Sequence, residues 1–174
     1  MDEIAITDYD PSWPHMFEQE EAVIRCALPD GLIIRFEHFG STAIPGLAAK
    51  PIIDILLGVN SINDARAVAV PALESLDYAF WSDNPDKEHL FFVKGLPPNG
   101  PRTHHVHVVG MASAKWNAIL FRDYLRGHFE EADRYLALKR ELMERFRSDR
   151  EAYTEGKSHF VQEIILKAKS DLDN

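Results

Sequence analysis

Cysteine is nearly absent from this sequence. Cys26 stands alone, so no intramolecular disulfide and no Cys-x-x-Cys metal or redox motif can form, and the composition fits a reducing compartment. An excess of positive charge is also missing: 19 Lys and Arg face 28 Asp and Glu, leaving a formal charge of −9 at pH 7. Without a basic field to hold a polyanion, duplex nucleic acid is set aside as the main partner, although a local basic pocket is compatible with the count. No apolar run approaches the ~20 residues of a membrane-spanning helix. The first residues, MDEIAITDYD, are acidic and carry no apolar signal core. Repeats and low-complexity tracts are lacking as well. The expectation is a cytoplasmic globular protein with no membrane partner.

What is present is an ordinary core-forming chain, 174 residues with 45% hydrophobic side chains, enough for one domain. The stretch from Ser12 to Leu28 has an apolar face of Trp13, Phe17, Val23, Ile24 and Leu28 at helical spacing, with Ser12 as the N-cap and Pro29-Asp30-Gly31 as the stop. LIIRFEHF reads as a strand covered on one face, and PIIDILLG as a strand buried on both. Residues 61–76 are helical, capped by Ser61, with Pro71 expected to kink or break the helix. Two further strand-like runs, YAFWSD and EHLFFVKG, precede a loop over 97–101. THHVHVVG then alternates, with His105, His107 and Val109 on one face.

Beyond Gly110 the pattern becomes helical, over 113–128, 130–146 and 157–170. In the second of these, Glu, Lys and Arg at helical spacing predict a solvated, ion-paired face. Tyr153 and Lys157 are expected to cap the last one. The sequence therefore predicts an α+β fold in a single domain over 1–174: a mixed sheet built from 33–39, 51–57, 89–94 and 103–109 with packed helices over 1–110, then a helical part over 111–174.

The chemistry concentrates in FEHFGSTAIPGLAAKPIIDILL. A lone carboxylate, Asp54, sits in an apolar strand, where desolvation costs several kcal/mol unless it is paired, hydrogen-bonded or metal-bound. Gly40-Ser41, followed by Thr42, opens a tight turn whose amides and hydroxyls suit an anion. Among its neighbours, His38 is expected on the pocket side of its strand, Glu37 pairs with Arg35 or Lys50, and Lys50 is either a phosphate partner or a solvated loop lysine. His105 and His107 read either as site residues or as strand histidines hydrogen-bonded to neighbours. Lys94 and Arg102 flank the 95–101 loop and can clamp an anion, set against the commoner reading as surface cations. Arg122 and Arg126 share one helical face, either as a basic wall or as ion-pair partners of Glu130 and Glu131.

The hydrophobic-Gly-Ser element, a spacer of about a dozen residues and an Asp in an apolar strand together resemble the polymerase-β-type nucleotidyltransferase superfamily. More narrowly, YDPSWPHMFEQE, EHFGSTAIPGLAAKPIIDILL, HHVHVV and FRDYLRGH, in that order, resemble the GrpB-like family over residues 9–165. The resemblance implies a nucleotidyltransferase-like fold and a site that binds a nucleotide or phosphorylated small molecule. In that site Asp54 and His107 are the catalytic candidates. Asp54, His105 and His107 would hold a divalent metal, and Gly40, Ser41, Thr42, His38, Lys50, Arg102 and His105 would hold substrate or phosphate. One departure stands out. Active nucleotidyltransferases carry Asp-x-Asp on this strand, and here the second position is Leu56. One carboxylate with two imidazoles suits Mn²⁺, Fe²⁺, Ni²⁺ or Zn²⁺ better than the Mg²⁺ of two-metal chemistry. Three functions follow: transfer of a nucleotidyl or phosphoryl group, non-catalytic binding in a degenerate site, or metal-dependent hydrolysis using the histidines.

Overall fold

The computed structural model describes residues 3–96 and 100–172, so residues 97–99 of the expected 97–101 loop lie outside the described residues. The chain forms two compact units, 12–39 with 52–115, and 1–11 with 40–51 and 116–174. This division does not follow a seam near Gly110.

The first unit is a five-stranded mixed sheet with two helices. Its elements are α1 (Trp13–Ala27), β1 (Arg35–Phe39), β2 (Ile53–Val59), α2 (Ile62–Glu74), β3 (Tyr78–Phe80), β4 (His89–Lys94) and β5 (His104–Gly110). The strand order is β1-β2-β5-β4-β3. Only the central pair β2 and β5 is parallel, in the register Ile53↔His104, Asp54↔His105, Ile55↔Val106, Leu56↔His107. The other three pairs are antiparallel.

One sheet face is dry. Ile55, Leu57, Val106, Val108, Leu90 and Phe92 are all 0% exposed, beneath α1 and α2. Burial of this set is the main stabilising term, at ~25 cal/mol per Å² of apolar surface. A buried polar knot joins α1 to the same face. Glu20 Oε1 accepts from Tyr78 Oη and from Lys94 Nζ, both at 2.9 Å, and His104 Nε2 lies 3.9 Å from Glu20 Oε2. The expected break at Pro71 does not occur, and α2 runs through it. The proline removes one N–H and so leaves the Ala67 carbonyl without its helical donor. Both residues are exposed, so the missing bond falls on the solvent side of the helix, while Ile62, Ala65, Ala69 and Leu73 stay buried. Ser61 caps α2 as read, accepting from the Asp64 amide at 3.3 Å.

The second unit contains α3 (Asn117–Gly127), α4 (Phe129–Arg145), α5 (Arg150–Glu155) and α6 (Ser158–Leu172). Segment 40–51 belongs to it. Ile44 and Leu47 join a core with Phe121, Leu125, Tyr135, Phe160 and Ile164, and Thr7 and Ala49 exchange two backbone bonds of 2.9 Å. Gly40 has φ 72° and ψ −173°, a region essentially reserved for glycine, and it launches the 3₁₀ turn Ser41–Ala43. Arg126 holds this turn from α3, donating through Nε and a terminal nitrogen to the Ala43 carbonyl at 2.9 and 2.6 Å. The short helix α5, capped by Asp149 on the Ala152 amide, was not expected. Tyr153 lies inside it, 1% exposed, and so packs in the interior instead of capping α6. Among the described residues no helix is long and apolar enough to cross a membrane.

The solvated, ion-paired face expected on α4 is present, with Glu131 paired to Arg134 and Lys167, and Lys139 is an exception to it. It is 2% exposed and donates to the Ala48 carbonyl at 2.5 Å, with its Nζ 5.0 Å from the Tyr135 ring centre. Burial first, and then the cations Lys157, Lys50 and Arg140, push its pKa down to about 7. A folded value below the unfolded ~10.4 means that the unfolded chain binds more protons between these limits. Stability contributed by this group therefore rises as pH climbs from 7 toward 10, by up to ~1.4 kcal/mol per pH unit. Urea melts between pH 7.5 and 9.5 should show this slope in the wild type and its loss in Lys139→Met.

Candidate functional site

The sheet face opposite α1 and α2 carries the polar residues. The register places Asp54 beside His105, and Leu56 beside both His107 and Glu37. Phe91 pairs with His107, and Val93 with His105. Asp54 lies between Ile53 and Ile55, both 0% exposed, but its own side chain is 27% exposed and His105 is 14% exposed. His105 Nδ1 lies 3.1 Å from Asp54 Oδ1. The carboxylate can only accept, so Nδ1 carries a proton, and in a neutral ring Nε2 then carries the lone pair. That Nε2 is buried with no hydrogen-bond partner.

His107 is wedged between aromatic rings, with Phe91 at 4.6 Å and Phe39 at 5.2 Å between centroids. Burial pushes its pKa down to about 3 against the opposing pull of Asp54. His89, 8% exposed, reaches His107 Nδ1 with its Nε2 at 2.9 Å. Its pKa falls to about 4, through burial and then the Lys115 cation, with Asp86 opposing. His89 and His107 are therefore neutral at pH 7. One ligand atom each from Asp54, His105 and His107 lies within 4.8 Å of the others, a cluster that could hold a metal ion. The donor set fits a borderline cation: neutral imidazoles and a single carboxylate suit Mn²⁺ or Zn²⁺ more than Mg²⁺.

The remaining candidates separate. His38 faces away from this cluster. It pairs with Ile55, is 8% exposed and stacks on Phe17 of α1 at 4.8 Å. Glu37 takes the side expected for His38, because antiparallel partners share a face, and its Oε1 accepts from Arg35 Nε at 3.0 Å. Leu56 is 1% exposed, so the position of the missing acid is a packed apolar site. Gly40, Ser41, Thr42 and Lys50 belong to the helical unit. The amides of Ala43 and Ile44 are bonded within the turn, Thr42 is 1% exposed, and Lys50 Nζ stands 4.9 Å over the Tyr153 ring. Arg102 is half-buried ahead of β5. Sequence reasoning missed His89, Asn84 and Glu20. The alternation of His89, Phe91 and Val93 was visible, but only the β4–β5 register shows that this row runs beside His105 and His107.

The fold and this cluster define an α+β protein with a histidine- and aspartate-lined candidate metal site on its sheet. The GrpB protein family model matches residues 3–167, and the chain belongs to that family. It is 49% identical over 169 residues to a UPF0157 protein of Pseudomonas aeruginosa, covering 96% of this chain and 68% of that one. The crystal structure of the conserved protein GrpB from Enterococcus faecalis superposes with a TM-score of 0.84 at 29% identity, over 98% of this chain and 100% of that one. A more distant match, 27% identical over 183 residues, is a protein of Mycolicibacterium paratuberculosis named dephospho-CoA kinase, of which it spans 44%.

Lys94 shows where an anion-clamp reading fails. Its ammonium is committed to Glu20, a carboxylate only 10% exposed. Removing one partner of a buried pair strands the other; here Lys94 is 26% exposed, and the loss should be about 2–3 kcal/mol, below the range for fully buried pairs. Lys94→Met should lower the denaturant midpoint by that amount without altering any response to cations or nucleotides in a thermal-shift assay.

Proposed function

We propose that this protein binds a nucleotide or phosphorylated small molecule together with a divalent cation held by Asp54, His105 and His107. The observation that carries this reading is His105 Nε2, a buried nitrogen with no hydrogen-bond partner whose ring is oriented by a carboxylate on its other nitrogen. That arrangement is the usual support of a metal-bound imidazole. A bound cation would supply charge neutralisation for a phosphate. The resemblance to nucleotidyltransferases assigns phosphate recognition to Gly40, Ser41 and Thr42, with Lys50 and Arg102 as cationic partners.

Binding without transfer is the better-supported form. A buried leucine at position 56 removes one of the two carboxylates that two-metal transfer needs. Transfer with a single cation is the second reading, in which Asp54 and His107 are the candidate catalytic residues. Similarity to part of a protein named dephospho-CoA kinase makes dephospho-CoA a ligand to test beside the nucleoside triphosphates.

The test is a thermal-shift matrix of Zn²⁺, Mn²⁺ and Mg²⁺ against these ligands. Saturation at 100 times Kd corresponds to about 2.7 kcal/mol. Zn²⁺ or Mn²⁺ should stabilise more than Mg²⁺, and Asp54→Asn should melt near the wild-type temperature with that response lost. Ser41→Ala should keep the cation response and weaken the nucleotide response. A wild-type protein whose melting temperature is indifferent to all three cations would overturn the metal reading.

A further inference from the structure

The row of side chains leading into this site fixes where its protons sit. Asn84, 6% exposed, is held from two sides: its Oδ1 accepts the Asp86 amide at 3.0 Å, and its Nδ2 donates to the His89 carbonyl at 2.9 Å. Exchanging oxygen and nitrogen would set donor against donor and acceptor against acceptor at both contacts. Nδ2 also lies 3.3 Å from His89 Nδ1. A neutral imidazole has one N–H and one lone pair, so the lone pair of His89 is on Nδ1 and its proton is on Nε2. That Nε2–H donates to His107 Nδ1 at 2.9 Å, a hydrogen-bonding distance, between rings whose planes lie 4° from parallel with centroids 5.0 Å apart. His107 Nδ1 is thus an acceptor, and the proton of His107 is on Nε2. Neither nitrogen of His107 has a lone pair to offer a cation.

We propose that Asn84 and His89 form a tautomer lock that withholds His107 from the cation until the chain inverts, so that Asp54 and His105 are the first ligands and His107 the regulated one. This rests on the metal reading above. Inversion moves the His107 proton to Nδ1, which then donates to a His89 lone pair at Nε2, while the His89 proton passes to Nδ1 and must find an acceptor. The amide of Asn84 presents N–H there and opposes it. Asn84 and His89 are positioning residues.

Two measurements test the lock. Nitrogen-15 NMR of the metal-free wild type should show His89 and His107 both protonated at Nε2. Zinc titrations should then compare wild type with Asn84→Asp, whose carboxylate accepts from His89 Nδ1–H and favours the inverted chain, and with His89→Phe, which removes the lock without adding charge. Both variants should bind Zn²⁺ more tightly, Asn84→Asp by at least ~10-fold, the scale of outer-shell effects, and its His107 proton should appear on Nδ1. Should Asn84→Asp fail to fold, His89→Phe and the wild-type spectra decide. An Nδ1–H His107 in the metal-free wild type overturns the lock, as do unchanged affinities in folded variants. Absence of Zn²⁺ binding in every form overturns the metal reading and this regulation together, whereas binding that is insensitive to both substitutions overturns the lock alone.

Discussion

The parallel pairing of β2 with β5 is the constraint on which the site depends. Side chains alternate along a strand, so a slip of one residue would send every one of them to the other face. The observed register sets Asp54 beside His105 and Leu56 beside His107, and sends Ile55, Leu57, Val106 and Val108 into the dry layer. One alignment therefore satisfies the core and the site together. The apolar layer enforces it, because a shifted register would bury the acid and histidines under the helices and expose the aliphatic row.

A carboxylate in such a strand has to be compensated. Asp54 is compensated at least in part by His105 Nδ1, and the result is an imidazole whose second nitrogen is buried and unsatisfied. Buried polar atoms are rarely left so, and those that are invite a functional explanation. The sheet's other polar knot, around Glu20, shows the contrast. There a carboxylate is shared by Tyr78 and Lys94, and those contacts tie α1 to the sheet. The two clusters look alike in sequence, each an acid with a histidine on β5. They differ in structure because Glu20 ties α1 to one face of the sheet, whereas Asp54 and His105 lie on the opposite face.

Histidine placement explains the chemistry of the open face. His89 and His107 are pressed among aromatic rings and lose their charge at neutral pH through desolvation. Neutral imidazoles with one carboxylate form a softer ligand set than the paired carboxylates of two-metal enzymes. Leu56 is buried in the sheet, so the departure from the Asp-x-Asp pattern is built into the packing.

Local pattern determined much of this protein. The alternation in THHVHVVG, the apolar run around Asp54, the Ser61 cap and the amphipathic helices beyond Gly110 are short-range signals, and each has its counterpart in the fold. The Gly40 turn was legible for the same reason, since its backbone angles demand glycine. Tertiary structure decided the rest. His38 could be assigned to a face only once β1 was paired with β2 and α1 had supplied Phe17 to stack on it. Lys139 read as a solvated lysine until its helix set it against the Ala48 carbonyl, and Pro71 read as a kink or break until α2 was found to run through it, with Pro71 and Ala67 both exposed. His89 and Asn84 reach the site through the β4–β5 register and a loop folded back on it. Composition and periodicity report what each residue does to its own element; which strands lie side by side is a property of the whole sheet, fixed by packing among residues distant in sequence.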